Sequence, residues 1–172
     1  MTTNNKILFT IGLILAIFGV YFVVRGNRKA TAKTSGWAKI ANPSVIRNDS
    51  GGDGHFGTSR NRDTGKKAHE GVDISAKLNQ KVYSPINGKI VRKAKPYAND
   101  SRFSGLLLEG LNGEEIKIFY INPLKVGENI NRGELIGKVQ SISKKYNTVT
   151  DHIHVEYRQD GVLTDPTTLI LT

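Results

Sequence analysis

Apolar residues are arranged along this chain in two unlike ways. Ile7 to Val24 is one run of eighteen residues without a charge, whereas from Val72 onward apolar positions fall in short β-rich stretches broken by turn residues. Wound as a helix, the first run would be roughly 27 Å long, close to the hydrocarbon thickness of a bilayer. It predicts a transmembrane helix, with Tyr21 and Phe22 at an interface. A buried core helix would need apolar surroundings that the rest of the chain does not supply. A cleavable signal peptide would normally have a shorter apolar region followed by small residues. Here Val23-Val24 run straight into Arg25, although Ala30-Thr31-Ala32 leaves processing open.

The second pattern predicts strands at residues 81–84, 89–92, 106–109 and 115–120, with further strands at 135–139 and 152–157. Val72-Asp73-Ile74 reads as the start of another. Asn87-Gly88 and Asn112-Gly113 fall between such runs and predict hairpin turns, because both residues accept positive φ. No amphipathic helical period of useful length lies between residues 70 and 172. The predicted organisation is a tail at 1–6, an anchor at 7–24, a basic linker at 25–50 and an all-β domain at 51–172. That domain opens on the loop Gly51-Gly52-Asp53-Gly54-His55-Phe56-Gly57.

Charge changes this picture in one respect. The net charge is +10, and residues 1–42 hold six basic side chains and no acid. The cations flank the apolar run and lack interleaved aromatics, which argues against a nucleic-acid partner. Arg25, Arg28, Lys29, Lys33 and Lys39 follow the run, so the positive-inside rule would leave the β domain cytoplasmic. The chain has no cysteine, which excludes disulfides, thiolate metal clusters and cysteine nucleophiles. Any metal must sit on His and carboxylate.

Asp151-His152-Ile153-His154-Val155-Glu156-Tyr157-Arg158 is the most informative stretch. On a strand, His152, His154, Glu156 and Arg158 share one face, and Ile153, Val155 and Tyr157 the other. Two imidazoles on one strand face make half a metal site or an exposed polar face. The second half is His69-Glu70-Gly71-Val72-Asp73. A helical reading, like that of the zinc proteases, fails because Gly71 and Val72 are poor helix formers. An extended segment leaving a tight glycine turn can still aim both side chains at one point. Three ligands of His, Asp and His type with water in the fourth position are the usual makings of a catalytic zinc site.

These residues resemble the lysostaphin-like (LytM-type) zinc endopeptidases, which cleave peptidoglycan cross-bridges or stem peptides. The resemblance runs over about residues 51–169. Gly54-His55-Phe56-Gly57 with Arg60 is similar to the family's opening, and His69-x-Gly71-x-Asp73-Ile74 to its first zinc motif. Val82-Tyr83-Ser84-Pro85-Ile86-Asn87-Gly88 resembles the hairpin that follows. Lys125-Val126-Gly127, Arg132-Gly133 and Ile136-Gly137 resemble its later strands, His152-x-His154-x-Glu156 its second motif and Thr164-Asp165-Pro166 its exit. The resemblance implies an antiparallel β-sheet lining an open groove, one zinc ion held by His69, Asp73 and His154, and His152 as general acid/base. Glu156 and Arg60 are candidates to orient the ligands, or are solvated surface charges. Glu70 is a weaker candidate base, and His55 reads as an exposed loop residue.

One departure stands out: the family carries another catalytic His in a Tyr-x-His strand motif, and here no His lies between residues 70 and 151. Counting from Asn112-Gly113 puts Tyr120 at that position, where a phenol could donate to a developing oxyanion; Asn122 is the candidate if the register slips. The expected function is a membrane-anchored zinc endopeptidase acting on bacterial peptidoglycan. Against the charge bias after the apolar run, its β domain would face the periplasm or cell wall through a cleaved anchor or an exception to the positive-inside rule, or the protein would be phage-encoded and sit in a virion membrane. The alternative is a weak or inactive relative that binds peptidoglycan or activates a partner hydrolase. A lipoyl-like carrier is disfavoured, because no hairpin tip carries an obvious lysine.

Overall fold

The computed structural model describes residues 36–62 and 65–171. The expected tail, the apolar run at 7–24 and the first part of the linker lie outside the described residues. Among the described residues, no helix is long and apolar enough to cross a membrane. The strands are β1 (Asn48–Asp49), β2 (Gly52–Asp53), β3 (Ser59–Arg62), β4 (Gly65–Ala68), β5 (Val72–Ser75), β6 (Lys81–Tyr83), β7 (Gly88–Ala94), β8 (Gly105–Gly110), β9 (Glu114–Phe119), β10 (Ile121–Pro123), β11 (Asn129–Ile130), β12 (Leu135–Val139), β13 (His152–Gln159) and β14 (Val162–Thr164). Helical structure among the described residues is a 3-10 turn at Ile142–Lys144 and one turn, α1, at Thr167–Ile170. The expected all-β fold is therefore observed.

The larger sheet is antiparallel, in the order β11-β7-β8-β9-β13. On its far edge β13 is shared: residues 152–155 pair with β5 and residues 157–159 with β14. A smaller sheet has the order β10-β12-β6. Alternation along β13 follows the sequence pattern. Ile153, Val155 and Tyr157 are buried in the core with Ile74, Leu106, Leu108, Ile116 and Ile118. Burying a side chain such as Ile153 contributes about 1.5–3 kcal/mol, which pins the register and so commits the histidines to the opposite face.

Two expectations need correction. Asn112-Gly113 joins paired strands β8 and β9, with Gly113 at φ +81, as predicted. Asn87-Gly88 does not make a hairpin, because β6 and β7 lie in different sheets. Gly88 is required there by crowding: a Cβ would lie 2.1 Å from the Glu109 carbonyl oxygen across the β7–β8 ladder. The linker expectation at 25–50 also fails from residue 36 onward. Trp37, Ile40 and Ala41 belong to the core, and Trp37 packs edge-on against Tyr157 with ring centroids 5.1 Å apart. Residues 45–47 run antiparallel along the free edge of β5, with Arg47 N–H donating to the Asp73 carbonyl and Ser75 N–H to that of Val45, both at 2.8 Å. Scattered apolar residues without a period escape a pattern reading, yet they cover an edge strand.

Candidate metal centre

The centre is built where β5 meets β13. Asp73 and His154 are directly opposed across this antiparallel pair, and their side chains project to the same face. His152 lies two residues along and projects the same way. His69 precedes β5 and is buried, its N–H bound to the Thr58 carbonyl and its own carbonyl to Gly57 N–H. The turn between His69 and β5 must pass close to β13. A Cβ on Gly71 would lie 2.4 Å from the Val155 carbonyl oxygen and 2.9 Å from the His154 ring. Only glycine fits between the two motifs, which explains its place in His69-x-Gly71-x-Asp73.

Three donor atoms converge. Asp73 Oδ1 is 2.8 Å from His154 Nδ1 and 3.2 Å from His69 Nε2, and the two imidazole nitrogens are 3.0 Å apart. His69 Nδ1 lies 2.8 Å from the His55 carbonyl oxygen and 3.0 Å from the Arg60 guanidinium, which directs Nε2 toward Asp73 and His154. Together the three atoms form a cluster able to ligate one cation, with His154 Nδ1 and Asp73 Oδ1 also within hydrogen-bond distance of each other. A tetrahedral zinc with bonds of 2.0–2.1 Å has ligand–ligand edges of roughly 3.3–3.4 Å, so a small adjustment seats the ion and leaves a fourth position open. The donor set, two imidazoles and a carboxylate, is also the right chemistry.

His152 stands beside this triangle. Its Nδ1–H donates to the Thr150 carbonyl at 2.7 Å, and its Nε2 is 3.7 Å from Asp73 Oδ1. Burial outweighs the attraction of Asp73 and pushes its pKa below the ordinary imidazole value, so it is neutral at pH 7. Burial would raise the Asp73 pKa, but hydrogen bonds from His154 and His69 hold it far below the usual carboxylate range. For His154, burial is outweighed by Asp73 and Glu156, and its pKa rises. Burial likewise opposes Glu156 ionisation, but His154 and Lys117 pull its pKa down to about 2. Lys117 reaches Glu156 from the neighbouring β9 at 3.0 Å, while Glu156 Oε1 faces His154 Nε2 at 3.6 Å.

Asp73 Oδ2 points away from the triangle and meets two guanidinium groups, Arg47 at 2.9 Å and Arg60 at 3.4 Å. Arg47 is buried, and its Nε has no hydrogen-bond partner among the described residues, a cost of about 1–3 kcal/mol. Tyr120 is the single residue between β9 and β10, where the chain passes from the larger sheet to the smaller. Its φ is +63, a strained conformation for an aromatic residue. Its ring lies edge-on to His152 with centroids 5.1 Å apart, and its hydroxyl is 3.1 Å from that of Tyr97.

The structure thus brings together His69, Asp73, His154 and His152, with Tyr120 and Arg60 at the margin. Asn122 is exposed on β10 and bound to Gln140. Glu70 pairs with Lys67 at 2.9 Å, and the His55 ring is exposed against Asp53. Sequence reasoning missed Arg47, Lys117 and Tyr97. Lys117 follows from the β9–β13 register, whereas Arg47 and Tyr97 carried no local signal.

Residues 67–166 match the family model described as Peptidase family M23. Leukocyte cell-derived chemotaxin-2 of Bos taurus is 37% identical over 120 residues, 69% of this chain and 74% of that protein. Among solved structures, the antimicrobial peptidase lysostaphin from Staphylococcus simulans superposes with a TM-score of 0.59 at 20% identity, covering 78% of this chain and 53% of that one. A zinc-containing peptidase from Vibrio cholerae gives 0.56 at 18% identity, covering 80% of this chain and 40% of that one. The chain therefore corresponds to only part of these two peptidases, and the likeness to them is one of fold. The family match spans the whole stretch that supplies His69, Asp73, His152 and His154, and on that ground the chain belongs to peptidase family M23.

Proposed function

We propose that this protein is a zinc endopeptidase that hydrolyses peptide bonds of bacterial peptidoglycan, with His69, Asp73 and His154 as the metal ligands. The observation that carries the reading is the convergence of three atoms able to ligate a cation, within 3.2 Å of one another, beside the His152 imidazole. A zinc ion held there supplies Lewis acidity and lowers the pKa of a bound water. His152, with its proton held on Nδ1 by Thr150, offers the Nε2 lone pair as general base and then returns the proton to the leaving amine. The Tyr120 hydroxyl donates to the developing oxyanion, in the place of the absent family histidine. Residues 7–24 anchor the protein in a membrane, with the β domain on the side of the cell wall, either in the cell or in a virion. A fractionation experiment with the full chain and a chain lacking residues 1–35 tests the anchor.

The test of activity is digestion of purified peptidoglycan by the zinc-loaded protein, with mass spectrometry of the released fragments. New amino termini that disappear on chelation support the reading; zinc binding without any cleavage overturns it. One observation favours a second reading, a peptidoglycan-binding relative without hydrolysis: Tyr120 stands where the resemblance leads to a histidine. Sedimentation of the protein with intact peptidoglycan, without cleavage, is the outcome that reading requires.

A further inference from the structure

Arg47 and Asp49 lie outside the residues matched by the family model, in the segment that the sequence pattern assigned to a linker. They add a side-chain link between two parts of the centre that the β5–β13 ladder already sets side by side through their backbones. Asp73 belongs to β5, and the tautomer of His152 is set by the carbonyl of Thr150, in the loop before β13. Arg47 Nη2 donates to Asp73 Oδ2 at 2.9 Å, and Nη1 donates to Asp49 Oδ1. Asp49 Oδ2 in turn accepts Thr150 N–H at 2.8 Å and the Thr150 hydroxyl at 2.6 Å. The Thr150 carbonyl then accepts His152 Nδ1–H at 2.7 Å.

We infer that Arg47 and Asp49 are positioning residues, a strap that fixes Asp73 and His152 relative to each other; this rests on the metal-centre reading above. Two consequences follow from the chemistry. With Oδ2 engaged by Arg47, Asp73 would present Oδ1 alone to a bound ion. With Thr150 held at both its N–H and its hydroxyl, its carbonyl is fixed toward His152 and keeps the imidazole proton on Nδ1. The planar fork of arginine reaches both carboxylates at once, which a lysine ammonium does not reproduce. The backbone of Arg47 is anchored independently, through its N–H to Asp73 and its carbonyl to Gly54 N–H, both at 2.8 Å. The side chain is therefore delivered to the site by the same edge pairing that covers β5.

The experiment uses the full chain with Arg47→Lys, Arg47→Met and Asp49→Asn. Zinc affinity is measured by competition with a chromophoric chelator, and the His152 tautomer by ring ¹⁵N shifts in the metal-free protein. Arg47→Met should weaken zinc binding by about 10- to 100-fold, the range for residues that orient metal ligands, with little rescue by Arg47→Lys. Asp49→Asn should change zinc affinity by less than about threefold while shifting His152 away from the pure Nδ1–H tautomer. Wild-type zinc affinity in Arg47→Met, or an unchanged His152 tautomer in Asp49→Asn, overturns the strap. If Arg47→Met does not fold, Asp49→Asn decides alone. A wild-type chain that binds no zinc overturns the metal-centre reading instead, and the tautomer measurement distinguishes that failure from failure of the strap.

Discussion

His152 stands between two corners built on different principles. On one side Asp73 and His154 meet across β5 and β13, in a register fixed by the hydrophobic face of the same strand, and His69 joins them from just before β5; His69 and Asp73 are buried and His154 half-buried. On the other side Tyr97, Phe103, Tyr120 and Tyr146 meet from the β7–β8 and β12–β13 loops and the β9–β10 junction. Lys145 packs over the Tyr97 ring at 4.7 Å and pairs with Asp100 at 2.8 Å. Burial pushes the Tyr97 hydroxyl pKa up, with Tyr120 and Tyr146 adding to the rise. The metal corner is held by ladder geometry, which tolerates no slip. The aromatic corner is built on loops, which vary more readily than a ladder.

Four measurements would break or sharpen that contrast. The largest effect belongs to His154→Ala, which should weaken zinc binding on the order of 10³-fold and abolish hydrolysis, since each of the few ligands carries a large share of the binding energy. His152→Ala should keep zinc but slow peptidoglycan cleavage by roughly 10²-fold or more. Equal loss of zinc in both variants would mean that His152 is itself a ligand. Chelation should lower the thermal midpoint on the order of 10 °C when zinc is initially present at about a thousand times its Kd. The same chelation shift in Tyr97→Phe would show that the aromatic corner does not share in metal binding. The smallest effect is Tyr120→Phe: about a tenfold fall in turnover, below the 10²–10³ of a dedicated oxyanion donor, with an unchanged midpoint. Unchanged kinetics would leave Tyr120 a packing residue.

The metal corner was legible because its spacings are short. Alternation along 152–158 places His152 and His154 on one face, and His69-x-Gly71-x-Asp73 is compact enough to be seen as a unit. The aromatic corner was legible at one residue, Tyr120, and only through the count from Asn112-Gly113. Tyr97 and Tyr146 are 49 positions apart in loops without a period, and their proximity depends on how those loops fold back. Arg47 was hidden for another reason: a single cation after Val45-Ile46 looks like any surface charge until the edge of β5 claims its backbone. Asn87-Gly88 misled because the same dipeptide serves a hairpin turn and a crowded strand start.

Local periodicity, a matter of which residues water expels from a strand, was enough to determine the β character of the chain, its core face and the shared strand face of His152 and His154, while His69 and Asp73 were joined to them through the family resemblance. Tertiary structure alone decided that β5 lies beside β13 so that Asp73 faces His154, that residues 36–49 belong to the fold, and that Arg47 reaches both Asp73 and Asp49. Those outcomes depend on contacts between segments distant in sequence, whose free energy comes from packing and ladder hydrogen bonds formed together, and no single segment encodes them.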